Sequence, residues 1–562
     1  MDKGELIEAE PGVNIVKCRK FGYDGKDKFI YGGTALEKRL EKVLRVVQKP
    51  GRYTGGELGS IHKERKSVNI RFAFCFPDLY EVGMSHLGMK ILYSVLNTID
   101  DIWCERVFAP WIDFEQQMKE KEIPLYGLES GDPIRDFDFV GFTLMYEMSY
   151  TGVLSMLDLA GIPLRVSDRG ENTPIIIAGG PCTCNPEPMA DFIDLFILGE
   201  GETVLLELMQ LYKDFKREGK TKTAFLRAAT KIEGIYVPQF YQVDYHEDGT
   251  VAAVYPREEG VQEKIRKRVE PNLDRSQFPT QFVLPYIDIV HDRAVMEVFR
   301  GCIRGCRFCQ AGFIYRPVRE KSPTTLNKQA HSLCDTSGYD EISMASLSTS
   351  DYSQLRPLME DLLPWTQKEK INLSLPSLRA DNFSRELLEK VSSVRKSGLT
   401  FAPEAGTQRL RDAINKNLSE EEILHTCKLA FEGGRTTVKL YFMLGLPTET
   451  MEDIEGIAIL AQKVVDLFYH LPEKPRGKSV QVNVSVSTFV PKPFTPFEWE
   501  PQDTYEQIVA KQKHLKSMVK SRKISLSCHE PDVSFLEAVL ANGARRLGAV
   551  LECAYRLGCH LD

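Results

Sequence analysis

The sequence predicts an α/β protein: an N-terminal doubly wound, Rossmann-like parallel-sheet domain, a partial (β/α)6 barrel of the TIM type, and a helical C-terminal segment. Three observations carry this. Short apolar runs alternate with amphipathic segments from Val68 onwards, a second series of the same kind begins near Ala294, and 562 residues exceed what one core organises.

Taken in order, residues 1–33 show no sustained period and are expected to be a loosely ordered lead-in. Leu36, Leu40, Val43, Leu44 and Val47 fall at helical spacing, and Pro50 and Gly51 end that helix. Strands are predicted at Ile70–Phe76, Phe139–Leu144, Ile175–Gly180 and Leu195–Gly201, with helices at Gly83–Asn97, Tyr150–Ala160 and Glu202–Phe215. The doubly wound unit they form spans 34–233, including its leading helix. In such a sheet ligands sit at the carboxyl ends of the strands, here at Asp78–Gly83, Thr143, Gly179–Pro181 and Gly199–Glu202. Residues 234–284 are polar and β-rich, a connector. The second series, 285–500, has strands at Val295–Phe299, Glu341–Ala345, Asn372–Leu375, Thr400–Ala402, Val438–Met443 and Val482–Ser487. Residues 501–562 read as helical, with one further strand at Ile524–Ser527, and are expected to be truncated at their end.

Composition narrows the class. Hydrophobic residues at 43% and charged residues at 27% fit a folded globular chain and exclude wholesale disorder. Residues 1–12 open acidic, and no apolar run reaches the 18 or so residues of a bilayer span, so a cytoplasmic protein with no membrane partner is expected. Against 79 acidic side chains stand 72 basic ones, so no global field draws the chain to nucleic acid. Thirteen cysteines in a reducing compartment are metal ligands, nucleophiles or buried thiols rather than a disulfide framework.

Three of them matter most. Cys302, Cys306 and Cys309 form a CxxxCxxC loop directly after the first barrel strand. Three soft thiolates suit three corners of an iron-sulfur cubane, and with no fourth cysteine in the loop one iron keeps an open site. Zinc favours four ligands in paired spacing, and a loop containing Gly and Arg is poor core filler.

At these residues the sequence resembles the radical SAM superfamily over about 285–500. The resemblance implies a 4Fe-4S cluster on Cys302, Cys306 and Cys309, reductive cleavage of S-adenosyl-L-methionine to a 5'-deoxyadenosyl radical, and an electron donor such as flavodoxin or ferredoxin. It also implies S-adenosylmethionine contacts at Phe308, Ser346, Ser348, Ser377, Arg379, Glu404, Gly445 and Pro447. Ser346–Ser350 is a departure, standing where the family often carries Gly-Gly-Glu. The segments Pro77–Gly88, Glu105–Trp111, Ala178–Cys182, Phe313–Glu320 and Phe489–Phe497 resemble an uncharacterised bacterial radical SAM family with an N-terminal cobalamin-binding-like domain. Members of that family are often encoded beside, or fused to, a second domain, which makes a neighbouring-gene protein a candidate partner.

Whether cobalamin binds is left open by the sequence. Where cobalamin domains carry Asp-x-His-x-x-Gly, this chain has Asp78-Leu79-Tyr80-Glu81-Val82-Gly83, and a protonated phenol is a poor cobalt ligand. Thr143, Gly179 and Gly180 are the positions that would receive a cobalamin nucleotide tail, since Gly permits close backbone approach. His86 is read as a structural hydrogen-bond partner, and Cys182 and Cys184 as packing thiols. Lys511, Lys513, Lys516, Lys520, Arg522 and Lys523 form the densest basic stretch, read as a solvated face rather than an RNA contact; nucleic acid is unproven. Arg316, Arg319 and Lys321 would favour an anionic substrate or bind structural carboxylates. With cobalamin the expected chemistry is methylation; without it, rearrangement, cyclisation or sulfur insertion. The rival is an iron-sulfur redox or iron sensor or assembly protein without turnover. The substrate is not legible.

Overall fold

The structure, a computed structural model, describes residues 35–375, 399–472 and 477–559. The N-terminal unit is built on a six-stranded sheet: β1 (Ile70–Phe76), β2 (Ile102–Phe108), β3 (Phe139–Thr143), β4 (Ile175–Gly179), β5 (Leu195–Ile197) and β6 (Ile235–Tyr236). Their order is β2-β1-β3-β4-β5-β6, parallel except for β6, which runs antiparallel to β5. Strands β1 to β3 are buried along their whole length, the continuous apolar signature of a sheet covered on both faces. The sequence analysis missed β2 because Cys104, Glu105 and Arg106 interrupt its apolar run, yet all three are buried. It also placed β6 in the connector, whereas β6 closes the sheet edge; a hairpin of β7 (Tyr241–Tyr245) and β8 (Val251–Pro256) follows.

The charge inside β2 is compensated from neighbouring loops. Arg106 donates to Glu57 Oε2 at 2.7 Å and through Nε to Glu129 Oε1 at 2.7 Å, and all three side chains are buried. Tyr80 donates to Glu57 Oε1 at 2.9 Å and closes the group.

The second unit opens with β9 (Ala294–Glu297). A two-residue ladder follows, of β10 (Phe299–Arg300) antiparallel to β11 (Arg319–Glu320), enclosing the cysteine loop between its strands. Beyond it lie β12 (Glu341–Ala345), β13 (Asn372–Ser374), β14 (Leu399–Glu404), β15 (Thr437–Leu444), β16 (Gln481–Thr488) and β17 (Ile524–Cys528). They form two parallel arcs, β13-β12-β9 and β14-β15-β16-β17. The six predicted barrel strands are all present, and the additional strand at Ile524 joins the same sheet, so the barrel sheet runs past residue 500 into the segment read as helical. Along β15 and β16 the residues Val438, Leu440, Phe442, Val482, Val484 and Val486 are buried against the covering helices. The alternate positions Lys439, Tyr441, Asn483 and Ser485 face the barrel interior, the period-two pattern of a sheet with one apolar face. No helix among the described residues is long and apolar enough to cross a membrane.

The Glu57–Arg106–Glu129 group yields a stability prediction. Arg106→Leu strands two buried carboxylates and should cost about 3–5 kcal/mol. Urea unfolding would measure it, and adding Glu57→Gln and Glu129→Gln should recover most of the loss.

Candidate functional site

The carboxyl ends of the N-terminal sheet and of the barrel strands meet around one large cavity of about 770 Å³. Its N-terminal wall comes from Phe74, Thr143, Gly180 and the Leu198–Glu202 turn, its barrel wall from Glu297, Arg300, Tyr315 and Ala345–Leu347. The volume lies in the range of small-molecule and cofactor sites. Parallel strands explain the placement, since their loops gather at one edge and here two such edges face each other. Gly180 makes the close turn at the end of β4: φ is +106°, and a Cβ there would lie 2.6 Å from the Leu144 carbonyl oxygen.

Of the positions assigned to cobalamin by sequence, Thr143 and Gly180 line the cavity, and Gly179 is the last residue of β4 beside them. Tyr80 does not reach the cavity. It is 1% exposed and turned into the Glu57–Arg106 group, and burial holds its phenol protonated. His86 does line the cavity, from the N-cap of the helix Leu87–Asn97, where its Nδ1 accepts the Met89 N–H at 3.1 Å. That bond leaves the neutral ring's proton on Nε2, the nitrogen facing away from the cap. Burial, aided by Lys90, pushes the imidazole down to about 4.

The cysteine loop is fastened on several sides. Gly301 turns it out of β10 with φ +86°, and a Cβ there would meet the Tyr315 and Pro317 carbonyl oxygens at 2.9 Å. The Arg307 N–H donates to the Ile414 carbonyl at 3.0 Å, and Asn415 donates to the Gly305 carbonyl at 2.8 Å. Arg304 pairs with Asp351, which also accepts from Ser348 at 2.7 Å. Cys302, Cys306 and Cys309 form no disulfide with any described cysteine. Burial raises the Cys309 thiol, opposed by the Gly312 N–H and the Lys416 ammonium, and the other two thiols lie close enough to act on it. Among the described residues no three Cys, His, Asp or Glu converge on a single ion, which needs sulfurs roughly 3.8 Å apart. A pinned loop of three thiols with no fourth cysteine in it fits three corners of a polynuclear cluster.

The positions assigned to S-adenosylmethionine divide. Phe308 packs against the cluster of Ala405, Leu410, Ile414 and Leu446, so it lies between the Glu404–Gly406 and Gly445–Pro447 turns. Glu404, at φ +68°, accepts from Lys416 at 3.1 Å. Gly445 has φ +79° and donates its N–H to Glu449 at 2.9 Å. These strand-end elements converge on one side of the cysteine loop. Ser346 lines the large cavity, while the buried Ser348 is committed to Asp351. Ser377 and Arg379 fall outside the described residues.

Sequence reasoning missed the charged wall of the cavity. Glu200, Glu202, Glu297, Lys267, Arg268 and Arg300 all line it, and the only signal was the Gly199–Glu202 turn at a strand end. Arg319 donates to Glu200 at 2.7 Å, and Lys321, 1% exposed, lies 3.6 Å from Glu297, so both bind structural carboxylates. Cys184 lines the cavity, whereas Cys182 is buried beneath it. Lys511 is held by Glu449 at 2.8 Å and Asp503 at 2.6 Å, which removes it from any free basic face.

Comparison with known proteins agrees with this geometry. Residues 88–238 match the model of the N-terminal region of radical SAM proteins, and residues 296–461 match that of the radical SAM superfamily. An uncharacterized protein of Methanocaldococcus jannaschii is 28% identical over 483 residues, spanning 85% of this chain and 90% of that protein. A putative methylthiotransferase of the same organism is 25% identical over 166 residues, 28% of this chain and 36% of its own length. Among solved structures, the radical S-adenosylmethionine methyltransferase TsrM of Kitasatospora setae, with tryptophan substrate and a SAM analogue bound, aligns over 86% of this chain and all of its own. The TM-score is 0.50 and the identity 13%. The chain is a radical SAM protein. More particularly, it is an enzyme of that superfamily, whose chemistry rests on a 4Fe-4S cluster and S-adenosylmethionine.

His86 gives a pH prediction. An unfolded histidine titrates near 6.5 and this one near about 4, so its contribution to stability is complete above pH 6.5 and is lost as pH falls towards 4. His86→Asn, which keeps a cap for the Met89 N–H, should flatten that part of the stability profile in thermal unfolding between pH 4 and 7.

Proposed function

We propose that this enzyme is a cobalamin-dependent radical SAM methyltransferase. Cys302, Cys306 and Cys309 would ligate the cluster. Phe308, Glu404, Gly445 and Pro447 would cradle S-adenosylmethionine on the side of the second arc, and Ser346 would approach it from the first. Cobalamin would occupy the cavity between the units, its tail towards Thr143, Gly179 and Gly180. The observation that carries this reading is the cavity itself: about 770 Å³ set between a doubly wound sheet and the barrel face that bears the cysteine loop.

When bound, the cluster supplies the electron for cleaving S-adenosylmethionine, and cobalamin supplies a methyl carrier. The chain's own residues prepare the surroundings. Tyr80 faces the protein interior and His86 spends its Nδ1 on a helix cap, so neither offers a lone pair to a metal in the cavity. A cobalamin in this cavity would therefore be held at Thr143, Gly179 and Gly180 rather than by either of these two residues. Leu87, Ile91 and Leu92 on one wall and Phe313, Ile314 and Leu347 on the other exclude water from the reacting centre. Burial raises the Cys309 thiol, and the Gly312 N–H and Lys416 offset part of that rise. The methylated acceptor is not defined by these residues.

Two outcomes test this. Anaerobically reconstituted wild type should form 5'-deoxyadenosine and methionine from S-adenosylmethionine under dithionite, and Cys306→Ala should lose at least about a hundredfold of that rate together with bound iron. Hydroxocobalamin should be retained on gel filtration, and Met145→Trp, which narrows the cavity, should weaken its binding at least about tenfold. A cluster-loaded protein that cleaves S-adenosylmethionine but retains no cobalamin would move the assignment to hydrogen-abstraction chemistry without methyl transfer.

A further inference from the structure

The ladder of β10 and β11 closes the base of the cysteine loop, with Arg300 at its start and Arg319 at its end as direct cross-strand partners. Two guanidinium groups opposite one another on a two-residue ladder repel. The carboxylates that offset them come largely from the other unit of the protein. Glu202 accepts from Arg300 Nη2 at 2.5 Å; Glu200 lies 3.3 Å from Arg300 Nη1 and accepts from Arg319 Nη1 at 2.7 Å. Within the barrel, Glu297 accepts from Arg300 Nε at 2.7 Å and lies 3.6 Å from the Lys321 ammonium. Three carboxylates thus face three cations, and each side chain is no more than 17% exposed, so removing one carboxylate leaves a buried cation uncompensated. One residue beyond Arg300 the chain turns on Gly301 into Cys302.

We propose that Glu202 and Glu200, in the turn from β5 into the helix Gly201–Arg217, are positioning residues that hold the cysteine loop in its working geometry through Arg300 and Arg319. The N-terminal unit then does more than cover the barrel: it sets where the three thiols stand. Glu200, Glu202, Glu297 and Arg300 also line the cavity, so whatever fills it touches the same anchor. The inference rests on the cluster assignment made above for its spectroscopic arm, and on the loop alone for its exchange arm.

Four full-length proteins are compared: wild type, Glu202→Gln, Arg300→Gln and the double variant. In the metal-free chains, hydrogen exchange of peptides covering 301–318 should accelerate at least about threefold in each single variant, while peptides of β15 and β16 keep their wild-type rates. In the reconstituted chains, bound iron should stay at the wild-type level while the electron paramagnetic resonance spectrum of the reduced cluster with S-adenosylmethionine changes. 5'-Deoxyadenosine formation should fall by about ten- to a hundredfold. The double variant should be no worse than the poorer single one, because both act through one contact. Wild-type exchange in 301–318 for Glu202→Gln overturns the proposal whether or not a cluster forms, and so do losses that multiply in the double variant. A wild type that assembles no cluster while the exchange result holds overturns the cluster assignment and leaves the positioning role standing. Should Glu202→Gln fail to fold, Glu200→Gln makes the same test through Arg319.

Discussion

Charge neutrality at the seam between two carboxyl edges is the condition on which the rest of this molecule depends. Parallel sheets deliver their loops to one edge, and a protein that turns two such edges towards each other must bury the polar residues that collect there. Here Glu200, Glu202 and Glu297 meet Arg300, Arg319 and Lys321, so the charged wall of the cavity is compensated within itself. Desolvated pairs of this kind add little net stability over apolar packing, but they are exacting about geometry. Exactness is what the proposed cofactor site and the cysteine loop beside it would require.

The same logic holds for the buried ion group inside the N-terminal unit. Glu57, Arg106 and Glu129 lie behind the sheet's first strands, away from the cavity, and Tyr80 belongs with them. A position that in related sheets offers an imidazole to a metal has here become part of the interior. The helix that follows keeps a histidine, His86, whose ring serves the backbone of its own first turn. The edge of this unit that lines the cavity is therefore made of glycine turns, carboxylates and apolar side chains, with Tyr80 turned away from it.

Much of the fold was legible because apolar runs of the right length recur with helical segments between them. The barrel strands at Glu341, Val438 and Val482 lie where the pattern put them, and the strand at Ile524 was visible as a short alternating run. What escaped was β2, whose Glu105 and Arg106 look like surface residues until their partners are known: Arg71 on β1 for the first, Glu57 and Glu129 from distant loops for the second. In the site, the cysteine spacing and the strand-end turns around Glu404 and Gly445 were readable because backbone geometry constrains them locally. Glu200, Glu202 and Arg300 were not, because their roles come from pairings across about a hundred residues of chain. Ser346 and Ser348 look equivalent in sequence, and only the fold shows one at the cavity and the other tied to Asp351.

The seventh barrel strand carries a consequence for how this chain can be cut. β17 pairs with β16 from Val482↔Ile524 to Val486↔Cys528, covering the backbone of a strand rich in valine. Ending the protein after the apparent barrel, near residue 500, would bare that row of amide and carbonyl groups as a long, flat, valine-lined edge. Such an edge is a template for another copy's strand, so the terminal segment acts as a guard against self-association, and the smallest well-behaved catalytic fragment includes it.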